Sequence, residues 1–417
     1  MGNDKKIRVG IGFATGRKHF QRVLRSYIHN WKESGLSDNE DISLNLFVAY
    51  DLRYMGTKKT DYTAIPLDVA ELIDSTHFIG IEKVEEIKRF LVKNSIIEAK
   101  EASMVFGKGY ASSRNVIMYQ AMKNEMDYLL FLDDDEYPLA VTKNVETALW
   151  SGQHVLKTHL QNIGNADITY GYHCGYISPI PSVAYSDILT ESNFRMFIQA
   201  IGNDIVNWEN INKLITNGGV TYSDTKVLTD REVVEVPEIN HAKFISGSNL
   251  CINLTQPERV FPFYNPPGAR GEDTFLSTCL SERKVLHVPC YAFHDGFAAY
   301  NHLLSGVLPT VLKPIRAESE LVIKRFYNAC IGWSRYKPLL LYITNQAEYT
   351  QKMNEMKQRL DITLTPVCQH FGTNDFQNIK RELNKYDKNV EKHFDDFIET
   401  KRIWTIIVDS LKQGRLA

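Results

Sequence analysis

A short apolar run that stops against four consecutive acids constrains this chain more than any other feature: Asp127-Tyr128-Leu129-Leu130-Phe131-Leu132-Asp133-Asp134-Asp135-Glu136-Tyr137-Pro138. The run is too short for a helix and reads as a strand buried on both faces, as in parallel sheets. Ligands of open α/β sheets bind beyond the carboxyl ends of the strands, where these acids fall. Adjacent carboxylates raise one another's pKa unless a cation neutralises them. Strand alternation would point Asp133 and Asp135 one way and Asp134 the other. Such an Asp-x-Asp pair is a claw for Mg2+ or Mn2+, hard cations that share oxygen ligands with phosphates. A solvated acidic turn is the plainer alternative, but four acids against a buried strand end favour the metal.

The flanking pattern alternates strand and helix, which predicts βαβ units and a mostly parallel sheet. Residues 7–14 and 44–50 read as strands, and 19–34 as a helix with inward Phe20, Val23, Leu24, Tyr27 and Trp31. A short strand follows at 77–81, then a charged helix over 83–100. The turn Thr15-Gly16-Arg17-Lys18 is no Walker loop, yet a basic strand-to-helix turn can hold a phosphate. Asp51 ends the second strand, where it either reads a base or ribose or caps a turn. Ser112 or Ser113 is expected to cap the next helix, with Arg114 in its first turn. Arg is unfavourable there on dipole grounds, so a ligand or acidic partner is expected for it.

Further along, 154–180 carries a run of Tyr, His and Gly, 187–213 has helical periods and 217–240 reads as exposed and strand-like. Residues 244–253 form a strand-like run rich in small side chains. Asn265-Pro266-Pro267-Gly268-Ala269-Arg270-Gly271 reads as a mobile loop that leads into Glu272-Asp273 at a helix start. A loop ahead of an acid pair can close over a substrate and present a general base, although Asp273 could simply cap the helix. The last strand is expected at 285–289, with His294 beyond it. From about residue 318 the segments 318–333 and 375–413 are charged and amphipathic, a helical carboxy-terminal appendage.

The 417 residues suffice for one large α/β domain with an appendage, or for two domains. A net charge of -2 argues against a dominant nucleic-acid role. No apolar run is long enough to span a bilayer, and an amino terminus that runs straight into a strand predicts no signal peptide. The six scattered cysteines lack Cys-x-x-Cys spacing and read as reduced thiols of a cytoplasmic protein, or one peripheral to a membrane.

Taken in order, these motifs resemble the GT-A class of nucleotide-sugar glycosyltransferases, in particular the group that includes glycosyltransferase family 2. The resemblance spans roughly residues 5–300 and rests on Ala111-Ser112-Ser113-Arg114-Asn115, Phe131-Leu132-Asp133-Asp134-Asp135-Glu136, Gly271-Glu272-Asp273 and His294. It implies a Rossmann-like, mostly parallel sheet flanked by helices. The implied domains are a catalytic unit over 1–317, with a nucleotide-sugar half at 1–140 and an acceptor half at 141–317, and a helical region at 318–417.

For the site, the resemblance implies that Asp133, Asp135 and His294 hold Mn2+ or Mg2+. Ala14, Arg17, Asp51, Arg114, Asp133 and Asp134 would line the nucleotide-sugar, UDP-linked foremost. Asp273, with Glu272 beside it, would be the base of an inverting transfer to a glycan, a lipid-linked sugar or a protein. If configuration is retained, the two would bind hydroxyls instead. The first strand departs from family 2 in carrying Phe13-Ala14-Thr15-Gly16-Arg17, and the Gln-x-x-Arg-Trp motif and membrane helices of processive synthases are absent. The carboxy-terminal helices offer a route to a homo-oligomer. The rival readings are a sugar-phosphate nucleotidyltransferase, which needs a glycine-rich basic first loop, and a non-catalytic carbohydrate- or metal-binding protein.

Overall fold

The computed structural model describes residues 6–202, 208–300 and 307–416. Its strands, in chain order, are β1 (Ile7–Thr15), β2 (Ile42–Tyr50), β3 (Ser75–Ile79), β4 (Tyr128–Leu132), β5 (Glu136–Tyr137), β6 (Leu139–Asn144), β7 (Thr147–Gly152), β8 (Ile168–Gly175), β9 (Val234–Glu235), β10 (Leu250–Asn253) and β11 (Val285–His294). A large sheet runs in the order β3-β2-β1-β4-β10-β8-β11-β5, with β9 also on β11, while β6 and β7 form a separate hairpin. β3, β2, β1, β4, β8 and β11 point one way; β10, β5 and β9 oppose them. The sheet is therefore mostly parallel within a mixed α/β fold.

Burial on both faces follows from the apolar strands. Val9, Ile11, Phe13, Leu130 and Leu132 join one core, shared with Phe20, Val23, Leu24, Tyr27 and Trp31 of the helix Phe20–Glu33. Phe47, Ala49, Leu129 and Phe131 join the opposite core, with the helix Tyr110–Lys123. Each fully buried side chain of this size contributes about 1.5–3 kcal/mol. The helix Tyr110–Lys123 is buried nearly all round, Arg114, Asn115 and Gln120 included, and its core also takes in Trp404 and Ile407 of the helix Val390–Leu416.

Several boundaries differ from the sequence reading. The charged helix breaks into Ile81–Lys93 and Ala99–Val105. The following helix begins at Tyr110, after Gly109 at φ 101°, so Ser112 and Ser113 lie inside it and Arg114 sits beyond its first turn. The 217–240 stretch holds the helix Thr225–Asp230 and only the two-residue β9. The 187–213 stretch divides into Glu191–Ile201 and Trp208–Thr216, with 203–207 outside the described residues. β11 runs longer than expected and contains His294.

The carboxy-terminal region is helical, as expected: Glu320–Thr344, Tyr349–Phe371, Asn378–Asp387 and Val390–Leu416. It grips the sheet unit: Trp404 Nε1 donates to Val260 O at 3.0 Å, and Tyr264 donates to His393 O at 3.0 Å. The 265–271 loop, expected to be mobile, is tied down. Arg335 Nη1 donates to Gly268 O at 2.8 Å, and the Tyr386 hydroxyl donates to Pro267 O. Among the described residues no helix is long and apolar enough to cross a membrane.

Candidate functional site

The carboxyl ends of β1, β4, β8 and β11 share one sheet edge with the loop that enters antiparallel β10, because Leu250 pairs with both Phe131 and Tyr170. This topology gathers Arg17, the acids after β4, the Gly247-Ser248-Asn249 entry and His294.

β4 ends at Leu132 and β5 begins at Glu136, so Asp133, Asp134 and Asp135 occupy a turn and do not alternate as on a strand. The expected Asp133/Asp135 claw is not formed. Asp134 accepts from Thr15 Oγ1, and Arg17 Nη1 reaches Asp134 Oδ1 at 3.1 Å and also donates to Asp135 Oδ2. Burial raises the Asp134 carboxyl despite the pull of Arg17. Asp133 turns away to Arg114 Nη2 at 3.2 Å. Burial, working against Arg114 and helped by Glu136 and Asp135, pushes Asp133 up to about 7.

Asp135 meets His294 instead. His294 Nε2 stands 3.4 Å from Asp135 Oδ2, and His294 Nδ1 lies 2.7 Å from the Tyr176 carbonyl oxygen. Donation from Nδ1 to that carbonyl fixes the ring so that Nε2 faces the carboxylate. Burial opposes charge on both groups, but each overrides it for the other. His294, then Arg17, hold Asp135 well below the usual carboxylate range, and Asp135 lifts His294 to about 9.

Arg114 is the hub. Its guanidinium lies 5.1 Å from the Phe131 ring centroid and 5.4 Å from that of Phe263. Nη1 donates to Gly247 O, Nη2 to Asp133, and Nε stands 3.6 Å from Glu272 Oε1. Of the two expectations for Arg114, a ligand or an acidic partner, the second is present twice over. Asn115 beside it clasps the Phe263 main chain, accepting from Phe263 N at 2.7 Å and donating to Phe263 O at 2.9 Å.

Glu272 and Asp273 open the helix Glu272–Ser277, and Gly271 occupies the cap position, so Asp273 is not the cap residue. Asp273 Oδ2 accepts from Gly247 N at 3.1 Å and Oδ1 from Thr274 N at 2.8 Å. Burial and the Glu272 charge raise Asp273 to about 6, against Arg114. Each of its oxygens keeps a second lone pair free for a proton.

Two of the expected residues contribute less. Ala14 is buried in the core of β1. Asp51 is exposed at the end of β2 and accepts from Arg53 N at 2.9 Å, the turn-capping alternative. One group was missed. The Glu136 carboxylate accepts from Ser248 Oγ at 2.6 Å and stands 3.3 Å from His173 Nε2, while its buried Oε2 has no hydrogen-bond partner. Burial opposes its charge, but His173 and then His294 hold Glu136 below the usual range. The signals were the His in the aromatic run and the small residues before β10, which no spacing rule joins to the acids.

For a metal, among the described residues no three His, Cys, Asp or Glu side chains are grouped as a site. Asp135 and His294 supply a convergent O,N pair, and Arg17 takes the place of a third ligand. The pair fits Mn2+ or Mg2+ bound through few protein ligands plus phosphate oxygens and water, once Arg17 and the His294 proton give way. No protein-family model matches the chain, and no curated protein matches it significantly.

Proposed function

We propose that the chain is a GT-A glycosyltransferase, resembling the family 2 group, that moves a sugar from a nucleoside diphosphate donor, UDP foremost, to an acceptor hydroxyl. The observation that carries this reading is the Arg114 bridge. One guanidinium joins Asp133 at the acidic strand end to Glu272, next to Asp273. The two carboxylate groups that a sugar transfer uses, one at the diphosphate and one at the acceptor, then share one sheet edge.

Asp135 and His294 would hold Mn2+ or Mg2+, which supplies Lewis-acid compensation for charge on the leaving diphosphate. On this reading Arg17 would hold a phosphate oxygen once it leaves the carboxylates. Asp273, ionised at neutral pH with its value raised to about 6, accepts the acceptor's hydroxyl proton. The Gly247 and Thr274 amides keep its carboxylate oriented. On this reading 1–317 is the catalytic unit, with its nucleotide-sugar half at 1–140 and acceptor half at 141–317.

Calorimetric titration with UDP, GDP and CDP, with and without Mn2+, tests the proposal. Binding of one nucleotide that a chelator abolishes supports it. No binding of any nucleotide overturns it.

A further inference from the structure

The carboxy-terminal helix Glu320–Thr344 sends Arg325 back over the acidic sheet edge. Its guanidinium carbon lies 4.1 Å from the Phe297 ring centroid, a cation–π stack that orients the group. Arg325 Nη2 and His294 Cε1 lie 2.4 and 2.5 Å from the point that a Cβ on Gly296 would occupy. Only glycine leaves room for both, and Arg325 therefore stands beside His294. Burial disfavours its charge, and among the charges acting on it Asp135 comes first, followed by Arg17 and Arg270.

Asp135 is already engaged by Arg17 and His294. Among the described residues Arg325 forms no hydrogen bond or ion pair; the Phe297 stack is its one polar contact. A half-buried guanidinium with all its donors free is expensive unless something anionic arrives. Arg270, exposed on the tied-down 265–271 loop, lies over Gly332 of the same helix and adds a second positive charge near Arg325. An unspent arginine beside His294, with Arg270 near enough to act on it, suits a phosphate group better than a neutral sugar, because a guanidinium can take two oxygens in a planar fork.

We propose that Arg325 is a phosphate-binding residue of this site and takes the outer phosphate of a diphosphate group. The carboxy-terminal helices then belong to the ligand site and are not merely a brace. The nucleoside diphosphate identity of the ligand rests on the donor reading above; the anion chemistry rests on the arginines alone.

Inorganic pyrophosphate and, with Mn2+, UDP, GDP and CDP are titrated into the full chain, Arg325→Gln, Arg325→Lys and a remote control, Arg8→Gln. Arg325→Gln is expected to weaken pyrophosphate and the preferred nucleotide at least tenfold. Arg325→Lys, which keeps the charge without the fork, should recover part of the loss, and Arg8→Gln should match the parent. Pyrophosphate that binds Arg325→Gln as tightly as the parent overturns the proposal. If Arg325→Gln fails to fold, an Arg325→Lys variant with parental affinity does the same. Nucleotides that bind parent and variant alike leave the donor reading standing and remove Arg325 from it. Arg325-dependent pyrophosphate binding with no nucleotide binding keeps the anion site and sinks the donor reading. A parent that binds neither sinks both.

Discussion

His294 Nε2 faces Asp135 Oδ2 across 3.4 Å, joining the end of the last long strand to the acidic turn after β4. The pairing follows from register: β5 sets Glu136 opposite His294 on β11 and carries the preceding Asp135 to the same place. If this pair holds Mn2+, Asp135→Asn and His294→Gln should each weaken Mn2+-dependent nucleotide binding at least tenfold, about 1.4 kcal/mol. Calorimetry with and without the ion reads this directly. Unchanged affinity in both variants would remove the metal site.

The same pair predicts a pH signature in stability. His294 is raised from 6.5 to about 9 in the folded chain. Its contribution is therefore fully present below pH 6.5 and is lost as pH rises through 9. The stability gap between parent and His294→Gln should be largest near pH 6 and shrink by pH 9.5, as read by urea unfolding. A gap that widens with pH contradicts the ion pair.

Arg17 neutralises Asp134 and Asp135, and removing one partner of a buried ion pair costs about 3–5 kcal/mol. Since Arg17 is 28% exposed, Arg17→Met should fall toward the low end. Added Mn2+ should restore part of the lost melting temperature, because a metal bound to the native state alone stabilises it. A variant as stable as the parent would show that the acids need no cation here.

Asp273 shares the pH sign of His294, because both values are raised in the folded chain and each loses stability as pH rises. A carboxyl raised from 3.8 to about 6 favours folding most at low pH and costs stability as pH rises through 6. Asp273→Asn should accordingly be at least as stable as the parent at pH 8, with the difference closing toward pH 4. Transfer should drop by roughly a hundredfold or more, the scale of a lost general base. Full transfer in the variant rules Asp273 out as the base.

Asn115 acts through structure. Asn115→Leu leaves the Phe263 amide and carbonyl unpartnered in the core, at about 1–3 kcal/mol for each buried group. A loss of several kcal/mol in denaturant unfolding is expected. A loss under 1 kcal/mol would mean the clasp matters little.

Much of the fold was legible in local pattern. β1, β2 and β4 and the helix Phe20–Glu33 lie within a residue or two of where apolar runs and 3.6-residue spacing put them. Less legible was 217–240, which reads as exposed and strand-like but forms a short helix and a two-residue bridge to β11. Pattern could not reveal that β10 enters the sheet antiparallel, since a strand's direction depends on partners distant in sequence.

The sequence by itself determined that acids would cluster at a buried strand's carboxyl end and that helices would follow residue 318. Those properties are local: strand length, helix periodicity and the repulsion of adjacent charges. Only the tertiary structure decided which acid meets which cation. A turn replaced the strand after Leu132, so Asp134 and Asp135 share Arg17, Asp133 goes to Arg114, and His294 completes the other side of Asp135. Arg325 reached the same edge from a helix that no spacing rule connects to it. Charge pairing acts through space over a few ångströms, and the chain order carries almost none of that information.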